Sequence, residues 1–85
     1  MNPRQVIGWN LKRIRVNQGV TQERLALEAE VDRAYVGRIE RGMENVTVAT
    51  LEALATVLQV PVADLFAKPR RATPVAGLKA GRKPK

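Results

Sequence analysis

An all-α domain of five helices is predicted by three observations on this chain. Apolar residues recur at three- and four-residue spacing in successive short stretches. A residue able to cap a helix, Asn2, Thr21, Asp32 or Thr47, stands before each of the first four, and Gly19 and Gly42 close two of them. The stretch 22–42, QERLALEAEVDRAYVGRIERG, places its small and apolar residues where two short helices must cross at a tight turn.

The first helix opens with Asn2 as cap, Pro3 at the first helical position and Gln5 placed to close a capping box, and it runs to about Asn17 before Gly19 ends it. Ile7, Leu11 and Ile14 form its core stripe. Trp9 and Val16 lie off that stripe. Trp9 covers a domain edge, meets a partner or packs into the core, and core packing is the expectation.

Thr21 caps the second helix, with Val20 and Leu25 as a hydrophobic staple, and Asp32 caps the third, stapled by Val31 and Val36. Leu25, Ala26 and Ala29 face inward from the second helix, and Val36 and Ile39 from the third, with Val31 in the turn between them. Ala26 is small enough for a close helix crossing. The outward stripe of the third helix is then Arg33, Ala34, Gly37, Arg38 and Arg41, three guanidinium groups and two small residues on one side. A solvated surface would account for those arginines taken alone.

Beyond Gly42, Met43, Glu44 and Asn45 form a loop, followed by Thr47 as cap with Val46 and Leu51 as a third staple. Val48, Leu51, Leu54, Ala55 and Leu58 supply the inward face of a fourth helix, and Pro61 to Phe66 make a short fifth. Val60, Val62, Leu65 and Phe66 offer more apolar surface than so short an element needs to close a core.

The chain divides by charge. Residues 1–66 hold eight Lys or Arg and eight Asp or Glu, whereas 67–85 hold seven basic residues and no acid, so the formal charge of +7 lies wholly in AKPRRATPVAGLKAGRKPK. Its prolines, glycines and few large apolar groups predict a flexible basic tail beside one folded unit, 1–66. That tail either wraps phosphates or serves as a solubilising terminus.

Composition excludes several classes. With no Cys, His or Ser, the chain has no disulfide, lacks the usual zinc ligands and lacks the commonest nucleophile and base pairs. The eight carboxylates sit on separate helices or beside arginines, and no phosphate-cradling glycine loop or Asp-rich cation loop is present, so neither enzymatic activity, a metal nor a cofactor is expected. No run of 18 apolar residues occurs and the N-terminus MNPRQVIGWN lacks a signal-peptide pattern. A cytoplasmic, nucleoid-associated protein without membrane contact is expected.

The ordered pattern DRAYVGRIERG, NVT and LEALATVLQVPVADLF resembles the phage Cro and lambda-repressor-like family, the XRE-type helix-turn-helix transcriptional regulators, over about residues 4–66. The resemblance implies a lambda-repressor-like domain bound to double-stranded DNA, with 22–29 as its second helix and 33–41 as its recognition helix. Arg33, Ala34 and Arg38 would face base edges. Arginine makes two parallel hydrogen bonds to guanine O6 and N7, at about 1–3 kcal/mol per pair, and Ala34 suits a thymine methyl.

By the same transfer Gln22, Tyr35, Arg41 and Asn45 would contact phosphates, although Tyr35 could equally fill a domain edge and Asn45 equally be a turn residue. Glu44 would be repelled by phosphate unless it points away. Arg15 and Glu40 would form a structural ion pair. Small members of the family pair near the fifth helix, which implies a homodimer through Val60, Val62, Leu65 and Phe66 on an inverted-repeat operator. The family usually has glycine where this chain has Glu30, at a position of positive φ. A side chain there costs on the order of 1 kcal/mol, so a slightly rearranged turn is expected.

The expected function is that of a dimeric repressor. The DRAYVGRIERG wording is also similar to restriction–modification controller proteins. An antitoxin-type module with a toxin-like partner would need a further surface, for which only Trp9 and the tail are candidates.

Overall fold

A computed structural model describes residues 1–69, and the basic segment from residue 70 onward lies outside the described residues. Four α-helices follow one another: α1 (Pro3–Asn17), α2 (Gln22–Ala29), α3 (Arg33–Glu40) and α4 (Val48–Leu58). The fifth element is a 3₁₀ helix, Val62–Phe66, rather than an α-helix. Five residues after Pro61 leave room for little more than one turn.

The helix starts follow from their side chains. Asn2 Oδ1 accepts the Gln5 N–H at 2.9 Å, and Gln5 Oε1 accepts the Asn2 N–H at 3.0 Å, which closes the capping box. Thr21 and Thr47 accept the N–H groups of Arg24 and Thr50. Asp32 occupies the cap position of α3, yet its side chain makes no cap hydrogen bond. The expected cap is therefore only a backbone one.

All four helices end in one way, a residue at positive φ followed by an N–H that reaches five residues back. Val20 bonds Arg15, Val31 bonds Ala26, Met43 bonds Arg38 and Val60 bonds Ala55, at 2.9–3.0 Å. The positive-φ residues are Gly19, Glu30, Gly42 and Gln59. The turn between α2 and α3 is thus not rearranged. Glu30 takes the left-handed conformation itself, φ 60° and ψ 43°, and the local cost is borne by the backbone. Gln59 does the same before the 3₁₀ helix.

The core gathers Ile7, Leu11 and Ile14 from α1, Leu25 and Ala26 from α2, Val36 and Ile39 from α3, Leu51, Leu54, Ala55 and Leu58 from α4, and Leu65. Burying each of the large aliphatic side chains contributes about 1.5–3 kcal/mol, which chain entropy largely offsets. Val20, Val31 and Val60, the residues after three of the positive-φ positions, pack against this core. Val48 does not join it and is 75% exposed. Val46, just before the cap, packs against the core instead.

Two further corrections concern α1. Trp9 is not packed in the core but is 37% exposed, with the Arg13 guanidinium carbon 5.3 Å from its ring centroid. Asn10, absent from the expected core, is fully buried. Its amide NH2 shares two hydrogens among the carbonyls of Val6, Leu65 and Ala67, 2.7–3.1 Å away, and its Oδ1 accepts from Arg13. A single polar side chain thereby ties the 3₁₀ helix to α1 and satisfies its own buried polar atoms.

Candidate nucleic-acid interface

The α2–turn–α3 unit is held against α1 by a polar knot at the C-terminal end of α3. Arg15 Nε lies 2.6 Å from Glu40 Oε2 and Arg15 Nη2 lies 3.0 Å from Oε1, a two-pronged pair. Arg15 Nη1 donates to the Val20 carbonyl at 2.8 Å. Gln22 Nε2 adds a third donor to Glu40, 2.9 Å from Oε1. The pair is nearly withdrawn from water, so its geometry fixes α3 relative to α1 and α2.

The outer side of α3 carries Arg33, Ala34 and Arg41 exposed and Arg38 half-exposed. Gly37, expected on the same open stripe, is buried. A β-carbon built there would stand 3.4 Å from Arg41 Nη1 and 3.9 Å from Gln22 Oε1, so the two longer side chains cover it. The exposed face is therefore split between an N-terminal part, Arg33 and Ala34, and the arginines toward the other end.

Arg38 is held from two sides. Its Nε donates to Glu44 Oε2 at 2.5 Å, and its guanidinium carbon lies 5.7 Å from the centroid of the Tyr35 ring. The hydrogen bond to Glu44 is the chief cause that raises the Arg38 pKa above its ordinary value. Tyr35 is half-buried and packs its ring against the core. Glu44 thus points back to α3. No sequence signal identified it as the arginine's partner, because the loop conformation decides it.

The remaining candidates lie in the loop after α3, at the start of α2 and in or beside the 3₁₀ helix. Asn45, in the loop after α3, accepts a hydrogen bond from Arg4 Nη1 at 2.7 Å, which brings the start of α1 to that loop. Gln22 stands at the start of α2, engaged by Glu40. In the 3₁₀ helix, Leu65 is fully buried in the chain's own core and has no surface to offer a partner, which corrects its place among the pairing residues. Val60 and Val62 are half-buried, and Phe66 is 49% exposed.

Among the described residues no three ligating side chains cluster as a metal site, and no helix is long and apolar enough to cross a membrane. The helix-turn-helix family HTH_3 matches residues 11–65. The chain belongs to the XRE-type helix-turn-helix family.

Among its relatives, a hypothetical transcription factor of Neisseria meningitidis is 36% identical over 67 residues, 79% of this chain. The match spans 63% of that protein, so this chain corresponds to less than two thirds of its length. Control protein C.BamHI of Bacillus amyloliquefaciens is 35% identical over 76% of this chain and 82% of its own length. The crystal structure of the restriction–modification controller protein C.AhdI from Aeromonas hydrophila superposes with a TM-score of 0.74 at 36% identity, over 78% of this chain and all of that one.

Proposed function

We propose that this chain is a transcriptional regulator that reads a specific sequence in double-stranded DNA. The observation that carries the reading is the exposed arginine-bearing face of α3, on a helix whose pose is fixed by the buried Arg15–Glu40 pair. An α-helix fits the B-DNA major groove, and a guanidinium matches O6 and N7 of guanine. Arg33, Ala34 and Arg38 are assigned to base edges and Gln22, Tyr35, Arg41 and Asn45 to phosphates. Residues 1–66 act as the DNA-binding unit, and 67–85 supply sequence-independent attraction to the backbone.

The operator is read as an inverted repeat by a two-fold dimer. Its contact centres on Phe66 with Val60 and Val62, which would set two copies of α3 about one DNA turn, roughly 34 Å, apart. The reading is one of a binding protein in the cytoplasm, working by occupying a promoter, rather than of an enzyme.

The match to C.AhdI over its whole chain favours a narrower form, a controller that switches restriction–modification genes by operator occupancy. Capture of sheared genomic DNA from the source cell, near physiological salt, tests both. Recovery of a few discrete promoter fragments supports the regulator, and fragments in front of restriction–modification genes support the controller. Uniform recovery of the genome contradicts sequence-specific regulation.

A further inference from the structure

An acid in the loop beside the recognition helix is at odds with a surface meant for phosphates, and its contact with Arg38 gives it a use. A guanidinium can grip guanine with either of two edges, the pair Nη1 and Nη2 or the pair Nε and Nη2. Glu44 Oε2 occupies Nε at 2.5 Å, which removes the second edge. The Tyr35 ring flanks the group, 5.7 Å from centroid to guanidinium carbon, and limits its tilt. Among the described residues, Nη1 and Nη2 of Arg38 make no hydrogen bond, so the outer edge is left to a ligand.

We propose that Glu44 is a positioning residue that sets the base specificity of Arg38, confining it to guanine recognition through Nη1 and Nη2. The inference rests on the reading that α3 faces the major groove. Two physical effects act together. The carboxylate fixes the plane of the guanidinium before DNA arrives, so less side-chain freedom is lost on binding. It also cancels the formal charge of Arg38, which weakens that arginine's attraction to any phosphate while leaving its geometric match to guanine intact. Affinity for unrelated DNA falls, and discrimination at one base pair per half-site rises.

The contact further predicts how Arg38 and Glu44 depend on each other. With Arg38 removed, the Glu44 carboxylate faces the groove uncompensated, so adding Glu44→Gln to Arg38→Ala restores part of the affinity without restoring base preference. Residues coupled in this way give non-additive effects in a double-mutant cycle.

The test uses the full chain and the duplex it selects, and compares Kd for that duplex with Kd for duplexes changed at each base pair in turn. Wild type, Glu44→Ala, Glu44→Asp, Arg38→Ala and the double variant Arg38→Ala with Glu44→Gln are measured, and thermal melting followed by circular dichroism monitors folding. Glu44→Ala, which leaves Nε without its partner, is expected to bind unrelated duplex at least as tightly as wild type while losing about tenfold discrimination at the base pair read by Arg38 alone. Glu44→Asp, which keeps the charge but shortens the reach, is expected to lose the same discrimination.

Unchanged discrimination in both Glu44 variants, with Arg38→Ala still altering one base pair, overturns the proposal and leaves DNA reading standing. Equal loss at every base pair marks a merely structural role and also overturns it. A wild-type protein with no preferred duplex overturns the DNA-reading assignment and this proposal together.

Discussion

Gly8 of α1 lies directly against Ile39 of α3: a β-carbon on Gly8 would stand 2.3 Å from the Ile39 carbonyl oxygen and 2.7 Å from that of Glu40. Both obstacles are backbone atoms, so neither can swing aside. The same α1–α3 contact carries the Arg15–Glu40 pair, and the distance between the two helices therefore decides how α3 is presented. Gly8→Ala is expected to force the helices apart and to destabilise the domain by about 1–3 kcal/mol, the usual cost of overpacking. A fall in melting temperature of roughly 4–8 °C per kcal/mol, measured by circular dichroism, checks it, and an unchanged melting point would contradict the close contact.

Glu30 gives the opposite sign. Held at φ 60°, it carries a conformational strain that glycine would not. Glycine also costs more chain entropy, which offsets part of the gain. Glu30→Gly is expected to stabilise by about 0.5–1 kcal/mol net, since the left-handed strain is the larger of the two effects. Gly42→Ala, at φ 74° with Gln5 only 3.0 Å from the added carbon, is expected to destabilise. Equilibrium urea unfolding of the two variants measures both signs.

The apolar rim predicts an assembly. Phe66 is exposed on the described domain, while its neighbour Leu65 is taken up by the chain's own core. Phe66→Asp is expected to leave folding intact and to convert a dimer to monomers in sedimentation velocity. With the two half-sites no longer bound by one linked unit, affinity for an inverted repeat falls about 100-fold. A wild-type protein that sediments as a monomer with and without DNA would remove the two-fold arrangement from the proposed function.

Truncation after Pro69 removes six basic side chains and spares Ala67, whose carbonyl Asn10 holds. If those charges meet phosphates, the plot of log binding constant against log salt flattens by about 0.9 for each phosphate that the shortened chain no longer neutralises, and the preferred sequence stays the same. A changed preference would mean that the segment reads bases.

Much of the fold was legible because it is written locally. Capping residues, staples and the three- and four-residue spacing of Leu and Ile fixed where helices begin and which face they bury, and Gly19 and Gly42 marked two ends. What escaped depends on pairs of residues far apart in the chain. Nothing in the neighbourhood of Gly8 announces the Ile39 carbonyl, and Asn10 reads as an ordinary polar residue until Leu65 and Ala67 are folded over it. Val48 fits the core stripe of α4 by spacing alone, but spacing cannot say where the neighbouring helices stop. Gly37 looked open because the arms of Arg41 and Gln22 that cover it come from other turns.

The candidate interface divides likewise. The arginines of α3 were legible from helical spacing, and the family pattern named Arg15 and Glu40. The engagement of Gln22 by Glu40, of Asn45 by Arg4 and of Arg38 by Glu44 came only with the loop and helix positions in space.

Base reading by Arg38 is the claim on which the rest depends, and selection of bound sites from random duplex DNA near physiological salt tests it most directly. Wild type and Arg38→Ala are selected in parallel. The account predicts an inverted repeat for the wild type and the same repeat for the variant, with preference relaxed at one guanine-containing base pair in each half-site, at a cost of about 1–3 kcal/mol. Identical preferences at every base pair from the two proteins, or no enriched sequence from the wild type, would contradict it.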